Sequence, residues 1–278
     1  MTPNNKVTVL VNSCDKYEEA WLPFFSLFKK YWPTCNYSLA INTESKNFSM
    51  DGMEIQMLHS NNTSWGGRLY EALQKISTPY VIVLLEDFFF QKPVREDKIE
   101  ACVNAFERDS SIAVFYFSRI TGYKGAGDDY DGFMRMEATP EYSRYFLNCQ
   151  AAIWRKDLLM KAVELCDSPW NLEEMRYEQI PAELKEMRFY CSSTTWYDKF
   201  RDGDVFSYLL VRGTGYGIYQ SKWLWNNKKL FEKEGIPCKC KSLPTMSKWS
   251  FFKKKYLEIL KSYFTSVRLK ISKTLANS

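Results

Sequence analysis

The segment Tyr80-Val81-Ile82-Val83-Leu84-Leu85 sets six apolar residues in a row and stops at two carboxylates, Glu86 and Asp87. A strand that is apolar at every position has no solvent face, so this one suits the centre of a parallel sheet covered by helices on both sides. Thr78-Pro79 bounds the run on one side, and Phe88-Phe89-Phe90 with Pro93-Val94 follows it on the other. Gly67 to Ile76, with Leu69, Leu73 and Ile76 on one side, reads as the helix that delivers the chain to this strand. Carboxylates placed just past such a strand lie where open α/β sheets bind ligands, in the crevice beyond the strand ends.

The upstream sequence repeats the alternation. Lys6 to Asn12 is a compact β-branched strand that breaks into Ser13-Cys14-Asp15-Lys16. Trp21, Phe24, Phe25, Phe28 and Tyr31 recur at helical steps within Glu18–Tyr31, which Lys29, Lys30 and Pro33 close. Strands are predicted at Tyr37–Asn42 and Glu54–Leu58. The first hundred residues thus read β-α-β-(β)-α-β, a nucleotide-binding order without a glycine-rich phosphate loop. Further on come a helix at Asp97–Phe106, a strand at Ile112–Phe117 and a glycine- and aspartate-rich loop at Gly122–Gly132. A helix at Lys156–Cys166 and a strand at Val205–Val211 complete the list. The expected fold is a single α/β domain over 1–247, its mostly parallel central sheet flanked by helices. Its nucleotide-binding half covers about 1–100 and its acceptor half about 101–247, with a basic amphipathic helical tail at 248–278.

Charge and cysteine usage narrow the function. The formal net charge is +5, but from Lys248 onward there are eight basic residues against the single acid Glu258. The positive field therefore belongs to the tail, and a uniformly basic nucleic-acid-binding body is disfavoured. The eight cysteines include one close pair, Cys238 and Cys240, with no second pair at zinc-ribbon spacing, so reduced thiols are expected. His59 is the sole histidine and no Gly-x-Ser-x-Gly elbow accompanies it, so it is read as structural. Gly213-Thr214-Gly215-Tyr216-Gly217 lacks dinucleotide-binding spacing. The N-terminus lacks the apolar stretch of a secretory signal, and Val81–Leu85 falls far short of the ~20 residues that span a bilayer. A cytoplasmic protein is expected, soluble or peripheral on the inner face of the cytoplasmic membrane.

Several segments in order resemble the GT-A glycosyltransferases, in particular small bacterial sugar transferases of polysaccharide, capsule and lipopolysaccharide assembly. They are Val9-Leu10-Val11-Asn12-Ser13-Cys14-Asp15-Lys16-Tyr17, Trp65-Gly66-Gly67-Arg68-Leu69, Leu84-Leu85-Glu86-Asp87-Phe88-Phe89, Asn148-Cys149-Gln150-Ala151-Ala152-Ile153-Trp154 and Ser168-Pro169-Trp170-Asn171-Leu172-Glu173. They fall between about residues 6 and 225. The resemblance implies a GT-A-like fold, a nucleoside-diphosphate-sugar donor with UDP the expected nucleotide, a divalent metal (Mn2+ or Mg2+) and transfer to a hydroxyl of a glycan or lipid-linked glycan.

The same resemblance assigns roles. The family's Asp-x-Asp is replaced here by Glu86-Asp87, with Asp87 expected as the metal ligand and Glu86 as a partner to the ribose, the metal's water or the backbone. A hard cation held by carboxylate and phosphates stabilises a departing diphosphate. Ser13, Asp15 and Tyr17, with Asn42 and Thr43 after the second strand, occupy the places where the family contacts the base. Arg68 matches an arginine that reaches base or diphosphate, tasks suited to a guanidinium that stacks and forks. Glu173 is the expected general base of an inverting transfer, Trp170 a sugar platform, and Asp128, Asp129 and Asp131 of the glycine-rich loop are rivals for acceptor or metal contacts. Each has a plainer reading: an acidic turn for Glu86-Asp87, helix capping for Ser13 and Asp15, core packing for Trp170, and first-turn charge for Glu173 beside Glu174. A catalytically inactive GT-A-like nucleotide- or glycan-binding protein is the alternative function. A nucleotidyltransferase is a third, although its glycine-rich basic signature is missing after the first strand.

In 249–275, Phe252, Tyr256, Ile259, Leu260, Tyr263, Val267 and Ile271 recur mostly at steps of three or four, with Lys254, Lys261 and Arg268 on the opposite side. Such a helix lies on an anionic membrane or packs its apolar face on the body, and the concentration of positive charge favours the membrane.

Overall fold

The computed structural model describes residues 4–120, 122–164, 166–193, 205–207, 217–238 and 240–257. The chain divides into two compact units, Met1–Tyr216 and Gly217–Ser278. The boundary expected at 247/248 falls inside the second.

In the first unit, strands β1 (Asn4–Asn12), β2 (Tyr37–Thr43), β3 (Gln56–His59), β4 (Tyr80–Leu85), β5 (Ile112–Tyr116), β6 (Phe133–Met136), β7 (Ala152–Arg155) and β8 (Arg188–Ser192) form one sheet in the order β3-β2-β1-β4-β7-β5-β8-β6. The pairs β3/β2, β2/β1, β1/β4 and β5/β8 are parallel. β7 runs antiparallel to both β4 and β5, and β6 runs antiparallel to β8. The all-apolar strand is therefore interior, as its sequence requires, but only one of its two neighbours is parallel.

Tyr80 and Val81 are adjacent on β4 and so project to opposite faces. Tyr80 stacks on Phe106 of helix α3 (Glu96–Arg108) with ring centroids 4.9 Å apart. Val81 lies in the core cluster with Leu69 and Leu73 of α2 (Trp65–Gln74) and Leu159 and Val163 of α4 (Lys156–Val163). Helix α1 (Glu18–Tyr31) buries Trp21, Phe24, Phe25 and Phe28. Phe24 and Phe28 meet Phe90, each with centroids 5.8 Å apart, and Phe90 stacks on Phe206 at 5.0 Å. All three residues of the Phe88–Phe90 run are buried, so the run is core.

Helix α2 begins two residues before the expected Gly67 because Ser64 caps it, accepting from the Gly67 N–H at 3.0 Å. Its first turn is docked on the chain that leaves α4: the Gly66 N–H donates to the Cys166 carbonyl at 3.0 Å. A Cβ on Gly66 would stand 2.2 Å from that carbonyl oxygen and 2.3 Å from that of Val163, so only glycine permits the approach. α4 itself ends at Val163, short of the expected Cys166.

The second unit holds a small sheet. β9 (Ile218–Tyr219) and β10 (Lys222–Leu224) form a hairpin, and β11 (Thr245–Met246) adds to β10 in parallel. Gln220 and Ser221 both have positive φ, 48° and 56°, the requirement of a two-residue turn matched to strand twist. A helix at Asn227–Glu234 ends on the left-handed Gly235, φ 67°, and residues 248–257 are helical. Phe251 on this last helix is buried, with ring centroids 5.2 Å from Tyr219 and 5.6 Å from Trp225. Of the expected strand at Val205–Val211 the described part, 205–207, is not extended in a sheet. Its remainder, the Gly213–Tyr216 stretch and the tail from 258 lie outside the described residues.

Candidate active site

The connections leaving β1 and β4 diverge, since β1 continues to β2 on one side and β4 to β5 on the other. At such a reversal of strand order the carboxyl ends of neighbouring strands open a crevice. A row of polar side chains crosses it along four consecutive parallel strands. The Ser60 hydroxyl, just past β3, donates to Asn42 Oδ1 at 2.9 Å, and Asn42 Nδ2, on β2, donates to Asn12 Oδ1, on β1, at 2.8 Å. Next in the chain, Ser13 accepts from Trp21 Nε1 at 2.7 Å and hydrogen-bonds the carboxyl of Glu86, past β4. Asn42 sits opposite Asn12 in the β1/β2 ladder and Leu85 opposite Asn12 in the β1/β4 ladder, which is how the sheet register aligns these groups.

Glu86 and Asp87 are both buried at 6% exposure. Burial pushes the Glu86 carboxyl well above the usual carboxylate range, the Asp87 charge beside it adds to the rise, and the Ser13 hydrogen bond opposes it. The acidic turn thus keeps two carboxylates out of water side by side, which a solvated capping turn does not do. The first-strand loop adds Cys14, whose thiol is raised to about 11 by burial and by Glu86 and Glu44.

The other expected donor contacts are engaged within the fold. Asp15 accepts from the N–H groups of Glu44, Ser45 and Lys46 at 3.1 Å and from the Ser45 hydroxyl at 2.6 Å, tying the loop after β1 to the turn after β2. Thr43 is fully buried, its hydroxyl meeting the Lys46 carbonyl and His59 Nδ1, both at 3.0 Å. His59 also reaches Asn47 Oδ1 at 3.2 Å, a bridging place in keeping with a structural histidine. Tyr17 is half-buried with the Lys16 ammonium 5.8 Å from its ring centroid. Arg68 lies with Nε 3.6 Å from Glu44 and Nη1 donating to the Thr63 carbonyl at 3.1 Å, while its backbone carbonyl accepts from Ser60 and Asn42.

A further carboxylate, Glu173, is held by the backbone of Cys149, one of the residues that line a small recess. The recess is lined by Asn12, Leu85, Asn148, Cys149, Gln150 and Leu172 among others, with Trp65 and Trp154 in its wall. Helix α5 (Pro169–Glu173), capped by Ser168, ends there. Glu173 Oε1 accepts from the Cys149 N–H at 3.2 Å, and the Glu173 carbonyl accepts from Tyr145 N–H at 2.7 Å. Glu174 instead points away to pair with Arg144 at 2.8 Å, which separates the two neighbouring acids. Trp170 is 64% exposed and so is not a core residue.

Asp128 and Asp129 are not brought to this crevice. Asp128 pairs with Arg135 on β6 at 3.2 Å and lies 3.8 Å from Arg188 at the start of β8. β6 is the sheet's edge, four positions from β4. The residues that sequence reasoning passed over are Asn12, Ser60 and the Cys149 N–H. Asn12 was marked by closing β1 and Ser60 by following a strand, whereas nothing local to Cys149 signals that its amide holds a carboxylate.

No family model and no curated protein matches the chain. Among solved structures it is similar to S. aureus TarS residues 1–349, with 15% identity and a TM-score of 0.40, over 68% of this chain and 58% of that one. It is also similar to a cytidylyltransferase from Leptospira borgpetersenii, with 12% identity and a TM-score of 0.40, over 84% and 97% of the two chains. A CMP:2-keto-3-deoxy-manno-octonic acid synthetase complexed with CTP matches at 13% identity and a TM-score of 0.39, over 67% and 88%.

Proposed function

We propose that the chain is a glycosyltransferase that moves a sugar from a nucleoside-diphosphate sugar, UDP being the expected nucleotide, to a hydroxyl of a glycan or lipid-linked glycan. The observation that carries this reading is the buried Glu86–Asp87 pair at the end of β4, in the crevice where the β1 and β4 connections diverge. A sugar diphosphate brings further negative charge to that place, which calls for a hard cation. Among the described residues no group of three or more His, Cys, Asp or Glu side chains could hold a metal unaided. The pair fits the other arrangement, in which one or two carboxylates would hold the ion together with substrate phosphates. Asp87 is the ligand in this reading, and Mn2+ or Mg2+ when bound would supply neutralisation of the leaving diphosphate.

The chain's own groups do the rest. Glu173, held by the Cys149 amide, takes the proton of the acceptor hydroxyl as its oxygen bonds to the anomeric carbon and the bond from that carbon to the diphosphate breaks. Configuration is inverted. Trp170, exposed on the same short helix, offers a flat apolar face to an acceptor sugar. In this reading Ser13, Glu86, Tyr17 and Arg68 contact the donor, while Asp15, Asn42 and Thr43 brace the loops that carry them. On the second unit, Trp249, Tyr256 and Leu257 are 73%, 63% and 46% exposed on a lysine-rich helix, a surface that fits an anionic bilayer carrying lipid-linked acceptors.

The test is a panel of nucleoside-diphosphate sugars screened by thermal shift with and without Mn2+ or Mg2+, followed by assay for release of the nucleoside diphosphate. Metal-linked stabilisation by one donor supports the reading. Indifference to every nucleotide would favour the inactive binding protein. Release of pyrophosphate from a nucleoside triphosphate and a sugar substrate would make the chain a nucleotidyltransferase.

A further inference from the structure

The second unit carries a pair of groups with no part in glycosyl transfer. Between the helix at Asn227–Glu234 and β11, the loop brings the Sγ atoms of Cys238 and Cys240 to 3.3 Å. Cys240 adopts a left-handed backbone, φ 45°, which non-glycine residues take only under local constraint. Both side chains are half-buried and so remain open to small solutes. We propose that Cys238 and Cys240 are a modification site, a vicinal dithiol that exchanges with a small-molecule disulfide and closes to a disulfide within the loop.

The chemistry balances as two successive displacements. The thiolate of one cysteine attacks one sulfur of the incoming disulfide, forming a mixed disulfide and expelling one small thiolate, which takes up a proton. The thiolate of the other cysteine attacks the protein sulfur of that mixed disulfide and expels the second small thiol. Two electrons pass from the dithiol to the reagent, and the two thiol protons end on the two released thiols. Proximity favours the second step, because the attacking sulfur already stands at contact distance from its target. Lys239 and Lys241 flank Cys240 in the sequence, so an anionic disulfide such as that of glutathione is drawn toward the loop.

The remaining cysteines are poor competitors. Burial raises the thiol of Cys14 to about 11, of Cys35 to about 12 and of Cys166 to about 11, and lifts Cys102 and Cys149 well above the ordinary thiol value. At pH 8 a thiol titrating near 11 is thiolate in about one molecule per thousand. Cys191 is buried.

The test uses the full-length reduced protein and glutathione disulfide at pH 8. Alkylation and peptide mapping follow, with a protease that does not cut at lysine. The expected result is loss of two of the eight thiols, a peptide spanning 238–240 lighter by two hydrogens with no glutathione attached, and reversal by a thiol reductant. The pair should oxidise at least about tenfold faster than any other cysteine. In Cys240→Ser the reaction should stop at one glutathione held on Cys238, and in Cys238→Ser at one held on Cys240. Oxidation that joins any other pair, a stable glutathione adduct on the parent loop, or full alkylation of both residues after exposure would overturn the proposal. These readouts are independent of sugar transfer, so failure here leaves the glycosyltransferase reading untouched and the converse also holds.

Discussion

Asp15 and Ser45 are joined through both donors of the serine: the Asp15 carboxylate accepts the Ser45 hydroxyl at 2.6 Å and the Ser45 N–H at 3.1 Å, which ties the loop after β1 to the turn after β2. Partial burial works against the charged carboxylate, but the Ser45 hydroxyl and the N–H groups of Lys46, Ser45 and Glu44 together outweigh it and lower its pKa. A group whose folded pKa is depressed binds its proton more readily when unfolded. Its contribution is therefore complete above the unfolded value of about 3.9 and is lost as pH falls through the folded value. Asp15→Ala is expected to cost about 1 kcal/mol at pH 7, the discount for its exposure included. Urea unfolding of the two proteins from pH 7 to pH 3 should show the gap closing below about pH 4, and a gap that widens on acidification would contradict the assignment.

Asn42 makes a different demand because it is fully buried, with Nδ2 spent on Asn12 and Oδ1 on Ser60. Asn42→Ala leaves both partners without that bond, at a cost of about 2–3 kcal/mol. The denaturant midpoint should fall with an unchanged slope. An unchanged midpoint would mean that the polar row is not a stabilising network.

Asp87→Asn keeps volume and removes one charge from beside Glu86. The repulsion that helps to raise Glu86 is thereby relieved, so folding stability should hold or rise slightly. Metal-dependent binding of nucleoside diphosphate should weaken on the order of 10–100-fold or more. Thermal unfolding checks the first and titration calorimetry with UDP and Mn2+ the second, and parent-like metal dependence would remove Asp87 from the proposed ligand role.

Glu173→Gln retains an oxygen that can accept from the Cys149 N–H, so the recess should keep its shape. Donor binding is expected to persist while transfer slows by ~10²–10⁴-fold, the range for loss of a general base. Glu174→Gln is the control, since that residue pairs with Arg144 at the surface. Parent-rate transfer by Glu173→Gln would pass the proton to another group.

The parts of the fold that could be read in advance are those whose stabilising contacts are encoded locally. The interior place of β4 follows from its lack of any polar face, and α1 from rings at helical steps. By contrast, β7 has four residues and its antiparallel insertion between β4 and β5 is decided by chain return, which no periodicity records. The same division holds in the site. Glu86 and Asp87 announced themselves by following a buried strand. The roles taken by Asp15 and Thr43 depended on Ser45, Lys46 and His59, partners set by how parallel strands stack rather than by any motif. Glu173 was separable from Glu174 only once the Cys149 amide and the Arg144 guanidinium were in place.

The helix at 248–257 docks through a different side than its periodicity implied. Phe251 is buried, Lys254 hydrogen-bonds Gln220, and the Lys255 ammonium lies 4.9 Å from the Tyr219 ring centroid. Trp249, Lys253, Tyr256 and Leu257, at steps of four, three and one, are left on another side, with the Lys253 ammonium 5.0 Å from the Trp249 ring centroid. Removing the chain from 248 would take Phe251 out of the second unit's core, so truncation would mix unfolding with loss of a membrane contact. Point changes on the outer stripe avoid this. The full-length protein is expected to sediment with vesicles containing phosphatidylserine at low salt. Lys253→Glu changes the local charge by two units, each near-surface cation contributing ~1 kcal/mol, so binding should weaken by about 30-fold, and added salt should shrink the difference. Trp249→Ala should weaken binding to the same vesicles through lost apolar insertion, with no change in melting temperature because the ring is exposed. Vesicle binding that is indifferent to both substitutions would assign the stripe to something other than a bilayer.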